Sequence, residues 1–315
     1  MKKFEILLDR LYSVIPDQIQ KPLGAYAFDK FVKIKRKLLK AEEKYYKGIH
    51  YLDVNNGHQE TLLLIHGFSD SKDGFLEPAS YLSQKYNLLI PDLPGFGSNE
   101  KDPARTYSIY EIGQSIKAFL KGLQIESPHI LGVSLGAAVA MEVVLLDPLY
   151  PKSLTLVSPA GFFDDNHTSI YHEILDGDNI FCIEGPKGYE GLLDRVMVNR
   201  PHIPSPVMLH LSEMLSQEKE WLEKMASDLI GGVKDLSESE KIAELSYNHR
   251  VENIECPTLI IWGEEDSLFP INLSEIPKNK IKNSSLVVIP NVGHALHHEI
   301  PKAFSMEVHN FIKSI

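Results

Sequence analysis

From Ile49 onward, short apolar runs alternate with stretches in which apolar residues recur every three or four positions. Most of the short runs are continuously apolar, as expected of strands buried on both faces of a parallel sheet. Seven runs predict strands: Ile49–Val54, Thr61–Ile65, Asn87–Pro91, Pro128–Val133, Ser153–Val157, Pro257–Trp262 and Ser284–Ile289. Helices are predicted at Leu76–Tyr86, Ser108–Leu123, Ser134–Leu146 and Pro301–Ile315. The alternation predicts an α/β fold, a mostly parallel sheet flanked by helices with right-handed crossovers.

The alternation stops between Ser158 and Cys256, where the pattern is mostly helical and no stretch is convincing as a strand. We therefore expect a helical cap at residues 159–255, inserted into a core formed by residues 49–158 and 256–315. The segment contains Phe162, Phe163, Phe181 and Trp221, and four of the methionines, Met197, Met208, Met214 and Met225.

Residues 1–48 follow a different pattern. Residues 4–15 have helical spacing up to Pro16, which ends that helix, and a second helical pattern runs from Phe28 to Leu39 with basic residues between the apolar ones. The segment holds twelve Lys and Arg against six Asp and Glu, so it carries +6 while the remainder carries −17. Such a basic amphipathic leader either lies on an anionic membrane surface or packs on the protein as a solvated segment.

Composition narrows the class of protein. At 315 residues the chain is long enough for one elaborated domain or two, and its net charge of −11 argues against a nucleic-acid partner. Cys182 and Cys256 form no disulfide framework or metal pattern. Neither a transmembrane helix nor a secretory signal is predicted, because no apolar run reaches about 18 residues and Glu5 and Asp9 interrupt the N-terminal one. We expect a cytoplasmic protein, with the membrane as a possible peripheral contact.

The sequence Gly132-Val133-Ser134-Leu135-Gly136 lies where a predicted strand gives way to an Ala-rich helix. A serine between two glycines at such a turn is typical of a nucleophile elbow, in which the serine has a strained backbone and projects above the sheet. The helix N-terminus beneath Ser134 favours developing negative charge. The alternative is a chance Gly-X-Ser-X-Gly in a loop, but the flanking strand and helix are what the mechanism requires.

A serine hydroxyl needs a base to become nucleophilic at neutral pH, and the base needs an orienting acid. His294 is the candidate base, because it follows a predicted strand and a glycine turn and precedes a helix. Asp266 is the candidate acid, since it lies one short turn after the strand that ends at Trp262. The competing acids are Glu264 and Glu265, which are nearer that strand, and Asp164 or Asp165 after the preceding strand.

A predicted strand leads into His66-Gly67-Phe68, and the turn that follows it predicts the position of the oxyanion hole. The N–H groups of Phe68 and Leu135 are expected to form a two-donor oxyanion hole. His66 is better explained as a structural group that holds this loop than as a second base. His297, His298 and Glu299 are a weak signal for a metal, and solvated residues at a helix start explain them better, so no metal site is predicted.

Flexible or aromatic side chains near these motifs are candidates for a substrate pocket. Methionines suit a pocket that accepts chains of varied shape, although the core of the cap is the simpler explanation for any single one of them. The pocket candidates are Phe68, Phe162, Met197 and Phe269.

Taken with Asp92-Leu93-Pro94-Gly95-Phe96-Gly97-Ser98, a turn near the site, these motifs resemble those of the α/β-hydrolase family, and the resemblance covers Ile49 to Ile315. It implies an α/β-hydrolase fold with a helical cap, or lid, inserted after strand six. Three stretches are similar to the monoacylglycerol-lipase-like branch and its bacterial lipase and esterase relatives: His66 to Asp73, Ser158 to Gly161 and Asn199 to Pro204. Membrane-bound members of that branch carry an N-terminal anchor, from which residues 1–48 depart.

The resemblance implies a serine hydrolase that cleaves carboxylic esters of apolar acyl groups through an acyl-enzyme, with no cofactor and no metal. Two alternatives stay open. Carbon–carbon bond hydrolases of ring-cleavage products use the same fold and triad, and a non-catalytic protein could bind a small molecule in the same pocket. Dehalogenases and epoxide hydrolases are disfavoured, because they need a carboxylate at the position of Ser134.

Overall fold

The computed structural model describes residues 15–164, 170–235 and 237–315. Its strands are β1 (Glu42–Tyr46), β2 (Ile49–Val54), β3 (Thr61–Ile65), β4 (Asn87–Pro91), β5 (His129–Val133), β6 (Ser153–Val157), β7 (Thr258–Gly263) and β8 (Ser284–Ile289). They form one eight-stranded sheet in the order β1-β2-β4-β3-β5-β6-β7-β8. The β1–β2 and β2–β4 pairs are antiparallel and all other neighbours are parallel. The predicted mostly parallel sheet is therefore confirmed.

Helices follow most strands, as in a chain of β-α units. Those of the core are α1 (Asp17–Leu39), α2 (Leu76–Leu82), α3 (Ile109–Gly122), α4 (Leu135–Leu145), α10 (Glu275–Lys280), α11 (Leu296–Glu299) and α12 (Pro301–Ser314). Those between β6 and β7 are α5 (Ile170–Leu175), α6 (Gly185–Val196), α7 (Ser205–Gln217), α8 (Lys219–Leu229) and α9 (Ser239–Leu245). The helices α5–α9 occupy the segment where the sequence predicts a cap.

The centre of the sheet is buried on both faces, as β3 illustrates. Leu62 and Leu64 belong to one apolar cluster with residues of α2 and α12, whereas Leu63 and Ile65 belong to a second cluster with residues of α3 and α4. Because side chains alternate along a strand, successive residues of β3 pack under helices on opposite faces. In α4 every residue from Leu135 to Val144 is buried, so this helix needs no polar face.

β1 extends the sheet at its antiparallel edge and was not predicted from the sequence. Its residues Glu42, Glu43 and Lys44 are exposed and give the strand no apolar alternation. Backbone pairing with β2 sets its register, with Glu42 opposite Asp53. Ion pairs of Lys44 with Asp53 on β2 and of Glu43 with Arg36 on α1, each at 2.6 Å, add to this pairing. Part of the segment that the sequence assigned to a leader thus belongs to the sheet.

α1 packs against the cap helix α7 rather than standing free. A Cβ on Gly24 would lie 1.8 Å from the carbonyl oxygen of Pro206, so the two backbones touch at this glycine. Lys21 on α1 also pairs with Glu213 on α7 at 2.8 Å. The helix predicted at residues 4–15 lies almost wholly outside the described residues.

Candidate active site

Ser134 follows β5 and directly precedes α4. Its φ of 55° and ψ of −118° hold a non-glycine residue at positive φ, a strained backbone conformation. A Cβ on Gly132 would lie 2.1 Å from the carbonyl oxygen of Gly136, and a Cβ on Gly136 would lie 2.2 Å from that of Ile65. The two glycines therefore allow strand, turn and helix to approach as closely as the sharp turn at Ser134 requires.

The turn at Ser134 is also fixed from the neighbouring strand. The N–H of Ser134 donates to the carbonyl of Val157 at 2.9 Å, and the N–H of Ala160 donates to the carbonyl of Ser134 at 3.2 Å. These two bonds join the ends of β5 and β6 and hold the serine at the carboxyl edge of the sheet.

Asp266 and His294 form a buried pair at the ends of β7 and β8. Nδ1 of His294 lies 2.8 Å from Oδ2 of Asp266, and their side chains are 8% and 0% exposed. The other carboxylate oxygen accepts the N–H groups of Leu268 and Phe269 at 2.9 and 3.0 Å. An ionised carboxylate only accepts hydrogen bonds, so Nδ1 donates, which leaves Nε2 as a proton acceptor.

The competing acids have other surroundings. Glu264 and Glu265 are exposed, and Asp164 is exposed and accepts from the side-chain amide of Asn272 at 3.2 Å. Asp165 lies outside the described residues. Among the candidates that the structure describes, Asp266 is the one in contact with His294.

The loop after β3 lies against the serine. A Cβ on Gly67 would lie 3.4 Å from Cβ of Ser134, which brings the neighbouring Phe68 to the same place. In the described part of the chain, the N–H groups of Phe68 and Leu135 donate to no other protein group. Both amides are therefore available to an oxygen bound at Ser134.

His66 holds this loop in place. The imidazole is fully buried, its Nε2 accepts the N–H of Leu93 at 2.9 Å, and its Nδ1 lies 2.8 Å from the carbonyl of Gly67. Because Nε2 accepts, Nδ1 carries the proton and donates to Gly67. With both nitrogens engaged, His66 joins the loops after β3 and β4 and has no free nitrogen to act as a base.

An apolar cavity of about 80 Å³ lies beside Ser134. Core residues form one wall of it, and the cap forms the other with Phe163, Tyr171, Ile174, Phe181 and Leu229. The hydroxyl of Tyr171 accepts the N–H of Gly161 at 2.8 Å. Burial raises the pKa of Tyr171 above its usual value, so the phenol stays neutral.

Two of the four predicted pocket residues line the cavity and the other two do not. Phe68 and Phe269 line the cavity, and the ring of Phe269 also lies 5.4 Å from that of His294. Phe162 is instead 1% exposed in the apolar core, and its neighbour Phe163 lines the cavity. Met197 directly follows α6, where its Cα would lie 3.3 Å from a Cβ on Gly293, and it is not among the residues that line the described cavity.

The other cap methionines also lie away from this cavity. Met225 is fully buried against Gly95, Met214 is 46% exposed, and Met208 lines a separate groove between α1 and the cap. Within the described residues, the four methionines therefore pack the cap or face solvent, which is the simpler of the two explanations considered from the sequence.

The histidines after His294 are not solvated as expected. His297 is 4% exposed, and its Nε2 lies 4.0 Å from Oδ2 of Asp70. His298 is partly exposed, with its Nε2 3.8 Å from the same oxygen. Burial and the nearby His298 lower the pKa of His297 to about 4, so this imidazole is neutral at pH 7.

Glu299 binds the loop that carries His294, here called the histidine loop, and does not belong to the group formed by Asp70, His297 and His298. Its carboxylate accepts the N–H of Gly293 at 2.7 Å, and it also accepts those of Val198 and Asn199 at 3.1 and 2.7 Å. These bonds fix the residue before His294 and tie the loop to the end of α6. Sequence reasoning missed this positioning role, because the three donors are backbone groups.

Comparison with known proteins places these features in context. A model of the alpha/beta hydrolase family matches residues 62–307. Lipase 3 of Moraxella sp. (strain TA144) is 29% identical over 251 residues, which cover 78% of this chain and 74% of that protein. Monoacylglycerol lipase ABHD6 of Rattus norvegicus is 26% identical over 268 residues, which cover 82% of this chain and 77% of the relative.

A solved structure matches the whole of this chain. It is the crystal structure of a membrane phospholipase A, described as a novel bacterial virulence factor, with a TM-score of 0.84 and 25% identity. The match covers 100% of this chain and 99% of that one. In the present chain, no helix among the described residues has both the length and the apolar character needed to cross a membrane.

Proposed function

The chain belongs to the alpha/beta hydrolase family, its lipase relatives support a hydrolase that acts on esters, and we propose that it uses Ser134, His294 and Asp266 as its catalytic triad. One observation carries the proposal. Ser134 stands on a strained turn and lines an apolar cavity, and the buried Asp266–His294 pair lies at the same edge of the sheet.

In the proposed mechanism His294 accepts the hydroxyl proton of Ser134 on Nε2 while the serine oxygen attacks the ester carbonyl. Asp266 keeps the imidazole in the required tautomer and stabilises the imidazolium that forms. His294 then donates the proton to the departing alcohol, leaving an acyl-serine. Water, activated by the same histidine, attacks the acyl-serine and releases the acid.

The oxyanion of each tetrahedral intermediate is bound by the N–H groups of Phe68 and Leu135. Leu135 is the first residue of α4, so the positive end of the helix dipole faces the same oxygen. Removing one such donor costs about 3 kcal/mol of transition-state stabilisation in enzymes of this kind.

The cavity supports an apolar acyl group as the part of the substrate next to Ser134. Its cap wall is built from aromatic and aliphatic side chains, and its volume is about 80 Å³. This is well below the roughly 300 Å³ at the lower end of ordinary ligand sites, so a long acyl chain requires the cap to move. We therefore propose monoacylglycerol-type lipids or other apolar acyl esters as substrates, with cap displacement for the longer chains.

Ring-cleavage products fit the cavity less well. These compounds carry carboxylates, and no Lys or Arg belongs to the lining of the described cavity. A purely binding role is also disfavoured, because such a protein would not need the Asp266–His294 pair or the strain at Ser134.

The test compares Ser134→Ala with Ser285→Ala, a serine exposed on β8, on a series of p-nitrophenyl esters of increasing acyl length. We expect Ser134→Ala to lower kcat by on the order of 10⁶-fold and to abolish labelling by a fluorophosphonate, while Ser285→Ala changes neither. Turnover of a carboxylated ring-cleavage dienone faster than any ester would favour the carbon–carbon hydrolase. Ester turnover that survives in Ser134→Ala would exclude the mechanism.

We also propose that α1 binds to the surface of membranes that contain anionic lipids. Its outward stripe carries Ile19, Leu23, Tyr26, Ile34 and Leu38, which are 58%, 41%, 61%, 54% and 75% exposed. Exposed lysines at positions 30, 33 and 37 interrupt the same stripe. Apolar side chains that enter the headgroup region beside lysines that pair with phosphates are the features of an interfacial helix. A cytoplasmic location stays a prediction.

The membrane proposal is tested by reversing charges without shortening the chain, since β1 and α1 belong to the fold. We expect Lys30→Glu, Lys33→Glu and Lys37→Glu together to weaken binding to phosphatidylglycerol vesicles by at least 100-fold, at about 1 kcal/mol for each lysine. The matched control reverses three exposed lysines elsewhere, Lys187, Lys282 and Lys302. Turnover of a soluble ester should not change in either variant, and equal loss of vesicle binding in both would reject a specific role for α1.

A further inference from the structure

Asp70, His297 and His298 converge from two separate parts of the chain. Asp70 lies in the loop after β3, two residues after Phe68, and the two histidines lie at the start of α11, three and four residues after His294. One potential ligand atom from each residue lies within 4.8 Å of the other two. The group therefore bridges the loop that bears an oxyanion donor and the loop that bears the proposed base.

His297 lacks the partners that a buried imidazole normally has. Neither of its nitrogens has a hydrogen-bond partner among the described residues, although the side chain is almost wholly buried. Its ring packs against the rings of Phe75 and Phe304, at centroid distances of 5.3 and 6.3 Å. An unsatisfied buried polar group costs about 1–3 kcal/mol, so this arrangement calls for a partner that the protein does not itself supply.

The separations in the group match a bridging cation better than direct hydrogen bonds. Oδ2 of Asp70 lies 4.0 Å from Nε2 of His297 and 3.8 Å from Nε2 of His298, beyond hydrogen-bond range. Two ligand atoms bound tetrahedrally to zinc at about 2.0–2.1 Å lie about 3.4 Å apart. A closing movement of about half an ångström would therefore bring Oδ2 of Asp70 and the two Nε2 atoms to three corners of one tetrahedron around the ion.

We propose that Asp70, His297 and His298 form a binding site for a divalent transition-metal ion, with Zn²⁺ as the best match. Two imidazoles and one carboxylate suit Zn²⁺, whereas Mg²⁺ and Ca²⁺ prefer oxygen ligands throughout. The side chains of Asp70 and His298 are 28% and 32% exposed, so the ion reaches the site from solvent and water completes its coordination.

Further contacts within the loop after β3 hold the proposed ligand Asp70 in position. The other carboxylate oxygen of Asp70 accepts the N–H of Ser71 at 2.7 Å, which orients the carboxylate toward the histidines. A Cβ on Gly74 would lie 2.3 Å from Oδ2 of Asp70, so a side chain at this position would displace the ligand. The bound ion would fasten the oxyanion loop to the histidine loop and stabilise their relative positions.

The test measures zinc binding directly on full-length protein that has been dialysed against EDTA. Titration calorimetry, with the metal content checked by atomic spectroscopy, should give one Zn²⁺ per chain and a concentration-dependent rise in Tm. Asp70→Asn and His298→Ala should each weaken binding by at least 100-fold, because loss of even an outer partner of a ligand costs 10–100-fold. His50→Ala, which removes a half-buried histidine on β2, is the matched control and should bind as wild type does.

The proposed catalytic pair is the main competing zinc site, so His294→Ala is measured in parallel. We expect its zinc affinity to stay within a factor of three of wild type. Binding lost in His294→Ala but kept in His298→Ala would overturn the proposal, as would the absence of saturable binding below millimolar zinc. Co²⁺ provides a second readout, since its visible absorption spectrum should indicate nitrogen and oxygen ligands and vanish in His298→Ala. None of these measurements depends on ester turnover, so the metal site and the serine mechanism can fail separately.

Discussion

The carboxyl edge of the sheet and the cap that covers it differ in how closely their backbones pack. At the sheet edge, a Cβ on Gly132, Gly136 or Gly263 would lie 2.1–2.2 Å from a backbone oxygen. In the cap, a Cβ on Gly177 or Gly191 would have no atom within 4 Å. The sheet edge therefore fixes its residues through close backbone approach, whereas these two cap glycines lie where no neighbouring group approaches.

This difference separates the two parts of the proposed reaction. The atoms that would transfer the proton and bind the oxyanion rest on buried strands, and a small shift there would misplace them. The residues that would meet the acyl chain lie on cap helices, as Tyr171 and Ile174 do, or in the segments beside them, as Phe163 and Phe181 do. A changed side chain there should alter the cavity and leave the sheet intact. Substitutions at the edge should thus change rate or stability strongly, and substitutions in the cap should mainly redistribute substrate preference.

After Ser134→Ala, the largest expected effect on kcat is that of the orienting acid at the carboxyl edge of the sheet. Asp266→Asn should lower kcat for a short ester by on the order of 10⁴-fold, because an amide can donate to Nδ1 and hold the imidazole in the wrong tautomer. The control is Glu265→Gln, an exposed carboxylate one residue away, which should keep full activity. Steady-state kinetics decide the matter, and a loss of less than tenfold in Asp266→Asn would contradict the assignment of the orienting acid.

A matched pair of glycine substitutions sharpens the comparison. Gly136→Ala should destabilise the protein by about 4 kcal/mol or more, because its Cβ has no space beside the carbonyl of Ile65. Gly191→Ala, in the open helix α6, should instead stabilise by about 0.5–1 kcal/mol through helix propensity. Urea unfolding measures both, and equal effects at the two positions would remove the contrast between edge and cap.

Lowering the pH should reduce the free energy of unfolding through protonation of His297. Its pKa is about 4 in the folded protein and about 6.5 when unfolded, so the unfolded chain binds a proton first as the pH falls. The contribution to stability is complete above pH 6.5 and is lost as the pH falls toward 4, by on the order of 3 kcal/mol. Urea titrations in EDTA at pH 7 to 4 should give a flatter profile for His297→Leu.

Three titratable groups face His297: Asp70, His298 and His294. The pH comparison therefore includes His298→Ala, whose profile should keep most of the wild-type slope because that histidine is partly exposed. If His297→Leu and wild type lose the same stability between pH 6.5 and 4, His297 is not the group that titrates.

The smallest expected effect on catalysis lies in the cap. Phe181 lines the cavity and packs against Phe68 at a ring distance of 5.0 Å. Phe181→Ala should raise kcat/KM for longer esters relative to short ones by roughly tenfold, since two more buried methylenes contribute about 1.6 kcal/mol. Met214→Ala, at an exposed cap position, is the control. An unchanged preference for acyl-chain length in Phe181→Ala would show that the ring of Phe181 does not determine which substrates are preferred.

The same contrast explains what the sequence could predict. The strands from β2 to β8 and the turns at Ser134, Asp266 and His294 each follow from a local pattern, a buried apolar run that ends in a glycine or polar turn. β1 has no such pattern, because the charged residues from Glu42 to Lys44 all face solvent. The alternation rule therefore gave no signal for an edge strand held by backbone pairing and ion pairs instead of apolar burial.

Contacts between segments that are distant along the chain could not be predicted from the sequence. Whether Phe162 or Phe163 reaches the cavity depends on how the cap turns after β6, a difference of one residue that periodicity does not resolve. The approach of Asp70 to His297 depends on the loop after β3 meeting α11 across the sheet edge. The sequence accordingly favoured a solvated explanation for a histidine that the fold buries.

The contact between Gly24 and Pro206 has a consequence for how the chain folds. It joins residues about 180 positions apart, so its loop-closure entropy is among the larger costs in the molecule and we expect it to form late, after the sheet. Once formed, it makes α1 and α7 one cooperative unit. In native-state hydrogen exchange the amides of both helices should then open together, at a lower free energy than those of β5.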